Sequence, residues 1–543
     1  MTRSKLRARV KQPEDHQAIF CFQKLKWACL IMAVGLAIAF AWDGWHGWIL
    51  KSGYPKNTFL LAPELRFSDY ENAIHIADDA CPYDPAVEDG YFPSIFSLYR
   101  FIGLFPGGPG FFIFLWIHLA ATLTLLSYAL YPLMQRLIKP TMKMKVMEPR
   151  EIATRRKFRG LVLISLASYP LWMTVDRTND VVTMILFLSW LHLSTLLIGW
   201  SYALYPFIKW MGRISPRMAV QNTRKIAEMR SLRYTAFLVL ISYPMWFAID
   251  RANSDITMFI LVAAAVYFYN KSHYALGTLF LLPAICFKAY PAVMLALLLR
   301  RRKLRWIFVC VAGFFIINWL SVLTFSHSVV ENIGLWKRGM HLTHDNFIIE
   351  NHGIVGTATP WNGIKVIIGA VHYLWSGDSQ SVAAFWRGLR PTLEIALTAF
   401  NALCVLGALV VTFYTVFVEK EFLRRAVLLL LFMTMAGPYG MDYKLLHAET
   451  AMIALIFLTT RRPNDLIIVV LLALAFIPKR EILIPYLGVS ATRYEDTAIG
   501  ILINPPLMLA AMALLMIDGW RQWDPKWAAA RLKSILPPGY RPT

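Results

Sequence analysis

Long apolar runs alternate with short basic segments along most of the chain. The runs fall at about 25–42, 109–137, 159–176, 180–209, 233–250, 254–270, 273–287, 289–300, 304–324, 394–417, 424–437, 443–460, 464–477 and 497–518. Several approach or exceed the roughly 18 residues that read as a membrane span. Each is predicted as a helix. Together they imply an all-α polytopic bundle of about 14 transmembrane or membrane-dipping helices. Runs 273–287 and 289–300 are shorter than a full span and read as helices that only dip into the bilayer.

The polar positions between the runs are strongly basic. Seven Lys and Arg lie in 1–26, nine in 136–159, seven in 209–233 and five in 300–305, with further clusters at 420–425, 461–462 and 521–541. Cytoplasmic loops carry such an excess. With a cytoplasmic N-terminus, every basic cluster falls inside and so does the C-terminus. Loops 43–108, 326–393 and 478–496 then fall outside, which in a bacterial inner membrane means the periplasm. The organisation expected is a basic segment 1–26, a membrane core 27–324, an outer loop 325–393, further helices 394–518 and a tail 519–543. Ala39-Phe40-Ala41 resembles a signal-peptidase site. The polar segment before it is long and many spans follow, so the first run reads as an uncleaved helix.

Composition agrees with this pattern. Of 543 residues, 57% are hydrophobic and 16% charged, against about 25% charged in soluble domains. The net charge of +22 sits between spans and is not the footprint of nucleic-acid binding. Cys29, Cys286, Cys310 and Cys404 lie in apolar runs, Cys21 in the basic N-terminus and Cys81 in the first outer loop. They form no disulfide framework and no zinc spacing.

One stretch is repeated. "LASYPLWMTVDRTNDVVTM" (166–184) echoes "LISYPMWFAIDRANSDITM" (240–258), and "HLAATLTLLSYALYP" (118–132) echoes "HLSTLLIGWSYALYP" (192–206), all at an offset of 74 residues. The unit is a descending helix, a basic linker and an ascending helix, spanning 110–184 and 184–258. Two added spans leave the downstream orientation unchanged, unlike the inverted repeats of secondary transporters.

Against the basic background, eight carboxylates gather between Glu64 and Asp89, with Arg66 the lone full cation among them. Most read as solvated loop acids. Asp69, after an apolar stretch and before Tyr70, reads as a buried, orienting carboxylate.

Candidate cations stand at the outer ends of helices. The repeat places Asp176-Arg177 and Asp250-Arg251 there. Charges beside hydrocarbon mark a site or a pair; they also fit a corner in which Asn and Asp cap the next helix and Arg snorkels to the interface. Lys288 precedes the helix-breaking Pro291 and reads either as a snorkelling anchor or as a ligand for a lipid-linked anion. In "GPYGMDYKLLH" (437–447), Gly437, Pro438 and Gly440 break the chain before Asp442, Tyr443 and Lys444. Arg480 lies on the same side. Clusters of Arg and Lys of this kind hold phosphate. His341 and His344 in the long outer loop share a helix face, which suits solvated histidines, substrate hydrogen bonds or a divalent metal.

These features resemble the GT-C membrane glycosyltransferases, and more closely glycosyltransferase family 87. The first outer loop carries Asp69, Tyr70, Ala73, Pro82-Tyr83-Asp84-Pro85 and Tyr91-Phe92-Pro93. Arg251-Ala252-Asn253-Ser254-Asp255, then Lys288 to Pro291, then Asp442 to Leu445 follow in the family's order. The resemblance covers about 60–460. It implies an α-mannosyl- or arabinofuranosyltransferase with a polyprenyl-phosphate donor, mannose favoured, and a glycolipid or glycan acceptor amid membrane lipids. Asp69 corresponds to the proposed base, Arg251 (with Arg177 as its rival) to the helix-end arginine, and Lys288 to the Lys-x-x-Pro lysine. Lys444 and Arg480 join the phosphate cations; Tyr70, His341, His344, Asp250 and Asp442 are candidates for contacts with sugar or acceptor. A prenyl phosphate leaves as a stable anion, so one carboxylate suffices where glycosidases use two. The alternatives are a polymerase or ligase of lipid-linked glycans and a lipid or sugar transporter.

Overall fold

The computed structural model describes residues 13–44, 73, 76, 92–103, 242–251, 253–325, 327–349, 358–376, 382–440, 442–456, 458, 462–477, 483–485, 496–524 and 526. The chain divides into two compact units, 1–25 with 104–240, and 26–103 with 241–543. The predicted helices at 109–137, 159–176 and 180–209, and the first copy of the repeat, lie outside the described residues.

The described part is helical apart from a short antiparallel pairing of β1 (Leu483–Pro485) with β2 (Asp496–Ala498). The helices are α1 (Pro13–Gly44), α2 (Pro93–Gly103), α3 (Tyr243–Arg251), α4 (Asp255–Asn270), α5 (Tyr274–Phe287), α6 (Ala296–Arg300) and α7 (Leu304–Val322). They continue with α8 (Val329–Thr343), α9 (Pro360–Ser376), α10 (Val382–Phe413), α11 (Phe422–Met435), α12 (Leu445–Ile456), α13 (Asp465–Ala475) and α14 (Gly500–Trp520). The ends of α4, α5, α7, α11, α13 and α14 lie close to the expected ones, because each of those apolar runs is closed by a charged or helix-breaking residue, whereas α10 begins twelve residues before the expected 394, and α8 and α9 fall in the segment expected as a loop.

Among the described residues, three helices are long and apolar enough to cross a membrane: Leu304–Val322, Gly388–Val418 and Gly500–Trp520. The protein is therefore membrane-associated, while the full 14-helix bundle is not shown. Phe308, Phe315 and Trp319 on α7, and Leu403, Leu406 and Phe413 on α10, are half exposed or more. Such continuous apolar faces need a non-aqueous neighbour. The core lies elsewhere: α11 is buried at every position except Leu423 and Phe432, as expected of a helix apolar on all sides.

α4 and α5 form a tight hairpin. Gly277 permits it, since a β-carbon there would enter the Tyr269 ring. The Tyr269 and Thr278 hydroxyls lie 3.2 Å apart across the seam, and Phe268 stacks on Phe280 at 5.4 Å. Ser272 and Arg302 end α4 and α6 in left-handed conformations, with φ of 63° and 55°. Lys303 Nζ lies 5.0 Å over the Tyr274 ring, so the two loops share one end of the unit.

That end is tied by buried ion pairs. Arg462 forks onto Glu419 at 2.6 and 2.7 Å. Arg424 Nη1 lies 2.7 Å from Asp465 Oδ1, its Nη2 donates to Oδ2 at 2.9 Å, and its Nε donates to Glu421 at 3.2 Å. Arg300 donates to the carbonyls of Thr415 (3.0 Å), Val416 (3.2 Å) and Glu419. Asn464 Nδ2 donates to Asp518 at 2.9 Å. The basic clusters expected at 300–305, 420–425 and 461–462 thus meet at one end, with carboxylates drawn in to neutralise them.

Replacing one member leaves a buried charge without its partner, which costs about 3–5 kcal/mol. Asp465→Asn is expected to lower stability by that order in a denaturant titration of the detergent-solubilised protein. Arg424→Met with Asp465→Leu should restore most of the loss.

Candidate functional site

At the opposite end of α11 the helix is broken on purpose. Ala436 turns extended, and Gly437 takes φ +97°, which glycine alone adopts without strain. The Thr359 hydroxyl donates to the Gly437 carbonyl at 2.7 Å. Lys444, at the close of the turn Asp442–Lys444, donates to the Ala436 carbonyl at 3.0 Å. Gly440 leaves room for the lysine stem, since a β-carbon there would stand 3.1 Å from Lys444 Cδ. Backbone groups exposed by the break are thereby satisfied, as an apolar environment requires.

A second break lies between α5 and α6. Lys288 caps α5 in an extended conformation, and the tight helical turn Tyr290–Leu295 follows. This swings Lys288 and Tyr290 toward the start of α4. There Asn253 Oδ1 accepts the Asp255 backbone N–H at 2.9 Å, so Asn253 does the capping and the Asp255 carboxylate is left to pair. Lys288 Nζ donates to Asp255 Oδ2 at 2.5 Å, and the Tyr290 hydroxyl donates to Asp255 Oδ1.

His447, one turn beyond Lys444, completes the group. Its Nε2 lies 3.1 Å from the Tyr290 hydroxyl and 3.8 Å from Asp255 Oδ1. Lys444 Nζ sits 4.7 Å over the Tyr290 ring, and Lys288 Nζ 5.5 Å over the Tyr443 ring. Tyr443 stacks on Phe247 at 6.0 Å. Asp255, Lys444 and His447 are buried and Lys288 nearly so. Two further buried acids flank the group: Asp442 accepts from Tyr243 at 2.6 Å, and Glu449 from Ser242 at 2.8 Å.

The segment that leads into α2 reaches the same region. Phe92 packs edge-on against Phe314 at 5.3 Å. The Ser94 hydroxyl donates at 2.8 Å to the carbonyl of Cys286, two residues before Lys288.

Of the expected site residues, Lys288, Lys444 and Asp442 are brought to this end. Asp250 and Arg251 close α3 just before Asp255. Asp69, Tyr70, Arg177 and Arg480 lie outside the described residues. His341 is exposed in the last turn of α8. His344 belongs to a chain of its own: Asp345 lies 3.2 Å from it and accepts from Arg390 at 2.7 Å. Among the described residues, no three His, Cys, Asp or Glu side chains gather as a metal site.

Sequence reasoning did not single out Asp255, Tyr290 or His447. Asp255 followed Asn-Ser and read as a cap. The signal was available in the hairpin lengths: 16 residues down α4 and 14 back along α5 return the chain to its starting level. Lys288 therefore meets the first carboxylate of α4.

Comparison of the chain with protein-family models, with curated proteins and with solved structures gives no match. The assignment of a role rests on the chemistry of this cluster.

The pair itself is testable by a double-mutant cycle. Asp255→Asn and Lys288→Gln should each destabilise the protein, and the double variant should lose about 1–3 kcal/mol less than their sum. Additive losses in denaturant midpoints would separate the two residues energetically.

Proposed function

We propose that the protein is a multi-pass glycosyltransferase of the bacterial inner membrane, moving a sugar, mannose favoured, from a polyprenyl-phosphate donor to a glycolipid or glycan on the periplasmic face. The observation that carries this reading is Lys444. It is buried, it bonds a carbonyl and faces a ring, and it forms no ion pair among the described residues. An ammonium in an apolar interior calls for an anion. A lipid-borne phosphate supplies one, and Lys288, oriented by Asp255, shares that carboxylate with the Tyr290 whose ring Lys444 faces.

The depth of the cluster suits a lipid substrate. α11 has 14 residues, about 21 Å at 1.5 Å per residue, against roughly 30 Å of hydrocarbon. With the Arg424–Asp465 end at the cytoplasmic boundary, Lys444 sits about 9 Å below the outer one. A prenyl phosphate entering between helices reaches that level with its tail still in lipid.

In the proposed reaction the acceptor hydroxyl attacks the anomeric carbon from the face opposite the phosphate. The bond from that carbon to the phosphate oxygen breaks, and its electron pair leaves with the prenyl phosphate. The hydroxyl proton passes to Asp69, and configuration inverts. Lys444, Lys288 and Arg251 stabilise the departing anion, with Arg480 as a further cation. The reading requires Asp69 to reach this cluster; Ser94, from the segment that follows the loop, is bonded to the Cys286 carbonyl two residues before Lys288.

A second reading draws on the buried chain from Asp255 through Tyr290 to His447, since such chains also serve proton-coupled transport. Proteoliposomes separate the two: an enzyme releases prenyl phosphate and glycosylated acceptor, whereas a carrier accumulates unmodified solute.

Transfer from a radiolabelled prenyl-phosphate sugar should fall about 10²–10⁴-fold in Asp69→Asn. Lys444→Gln should weaken donor binding. Arg251→Ala should cost more than Arg177→Ala, the reverse order moving the role to the first copy of the repeat. Unchanged transfer by Asp69→Asn would remove that residue as the base.

A further inference from the structure

His447 poses a question of proton counting. Tyr290 has one hydroxyl proton, and it goes to Asp255. The contact of Tyr290 with His447 Nε2 at 3.1 Å therefore needs the proton on the imidazole, with Nε2–H donating to the tyrosine oxygen. A neutral imidazole carries one N–H, so Nδ1 is then a bare acceptor. Nδ1 is buried and has no hydrogen-bond partner among the described residues. A buried acceptor left in this state is costly, and the site is short of one hydrogen-bond donor.

We propose that His447 Nδ1 is a subsite for a hydroxyl of the sugar carried by the prenyl phosphate. This rests on the reading of the cluster as a prenyl-phosphate site and adds to it the group that recognises the headgroup. The chemistry divides the ligand between two side chains. A phosphodiester offers only acceptor oxygens, so it suits the Lys444 ammonium and leaves Nδ1 unsatisfied. A sugar hydroxyl can donate, which is what Nδ1 lacks. Lys444, the last residue of the turn Asp442–Lys444, and His447, in the first turn of α12, are three residues apart, a spacing of about one helical turn that keeps them on the same side. One side chain reads the charge and its neighbour reads the adjacent hydroxyl. Asp255 and Tyr290 fix the tautomer, so the acceptor is in place before the ligand arrives.

The test compares two lipids of equal chain length, polyprenyl phosphate and polyprenyl-phosphate mannose, binding to the full chain in nanodiscs. Wild type should bind the mannose-bearing lipid about five- to tenfold more tightly, the value of one hydrogen bond to an otherwise unpaired buried group. His447→Gln keeps a donor at the ε position and removes the δ acceptor. It should bind the bare phosphate as wild type does, which also reports an intact fold, and should lose the preference for mannose. His447→Asn places an oxygen at the δ position and should keep most of the preference. Equal affinity of wild type for the two lipids, a preference retained by the Gln variant, or loss of it in the Asn variant would overturn the inference while leaving the phosphate site standing. Failure of wild type to bind either lipid would overturn the phosphate reading and this inference with it.

Discussion

A lysine in an apolar helical interior must find a negative partner, and that requirement organises the described unit. Lys288 meets it with Asp255, at 2.5 Å. To make the pair, α4 and α5 must have matched lengths, Gly277 must let them close, and the chain after Phe287 must turn extended. Tyr290, held by the same carboxylate, then brings in His447 and Lys444 from a segment more than 150 residues away. The pair is weak evidence of stability by itself, because desolvation offsets much of the attraction. Its value lies in fixing the direction of every polar group around it.

Two polar levels bound the short central helices. At one, Arg462, Arg424 and Arg300 are each engaged by carboxylates or carbonyls. At the other, Lys444 has a carbonyl and a ring but no paired carboxylate among the described residues. Partnership distinguishes the two levels where burial does not, since both are buried. The ion pairs of the first level lock helix ends together, and the lysine of the second is the basis of the proposed phosphate site.

The periodic apolar runs and their charged stops were legible in the sequence, which is why the ends of α4, α5 and α7 fall within a residue or two of expectation. Lys288 and Lys444 were legible too, because a lysine beside a proline or glycine break interrupts an apolar run in plain view. Partners were harder. Asp255, Tyr290 and His447 have ordinary local explanations (a cap, an aromatic next to proline, a polar residue at a helix start), and only the tertiary return of α5 to the start of α4 gives them a shared purpose. Asp442 was read as a sugar contact, yet it is engaged by Tyr243, a pairing between segments 199 residues apart that no local pattern encodes.

The helix breaks explain why such a site can exist within a membrane thickness. Each break frees carbonyls that hydrocarbon cannot satisfy. Ser94 takes that of Cys286, Thr359 that of Gly437, and Lys444 that of Ala436. The first two are neutral hydroxyls and serve the backbone alone. Lys444 differs because an ammonium has three donors and the carbonyl uses one. The same side chain that makes the broken backbone tolerable therefore keeps donors in reserve for an anion. Structural repair and the proposed phosphate binding fall on one residue, so a substitution that preserves the charge but shortens the reach would strain the turn at Gly437 and the proposed phosphate contact together.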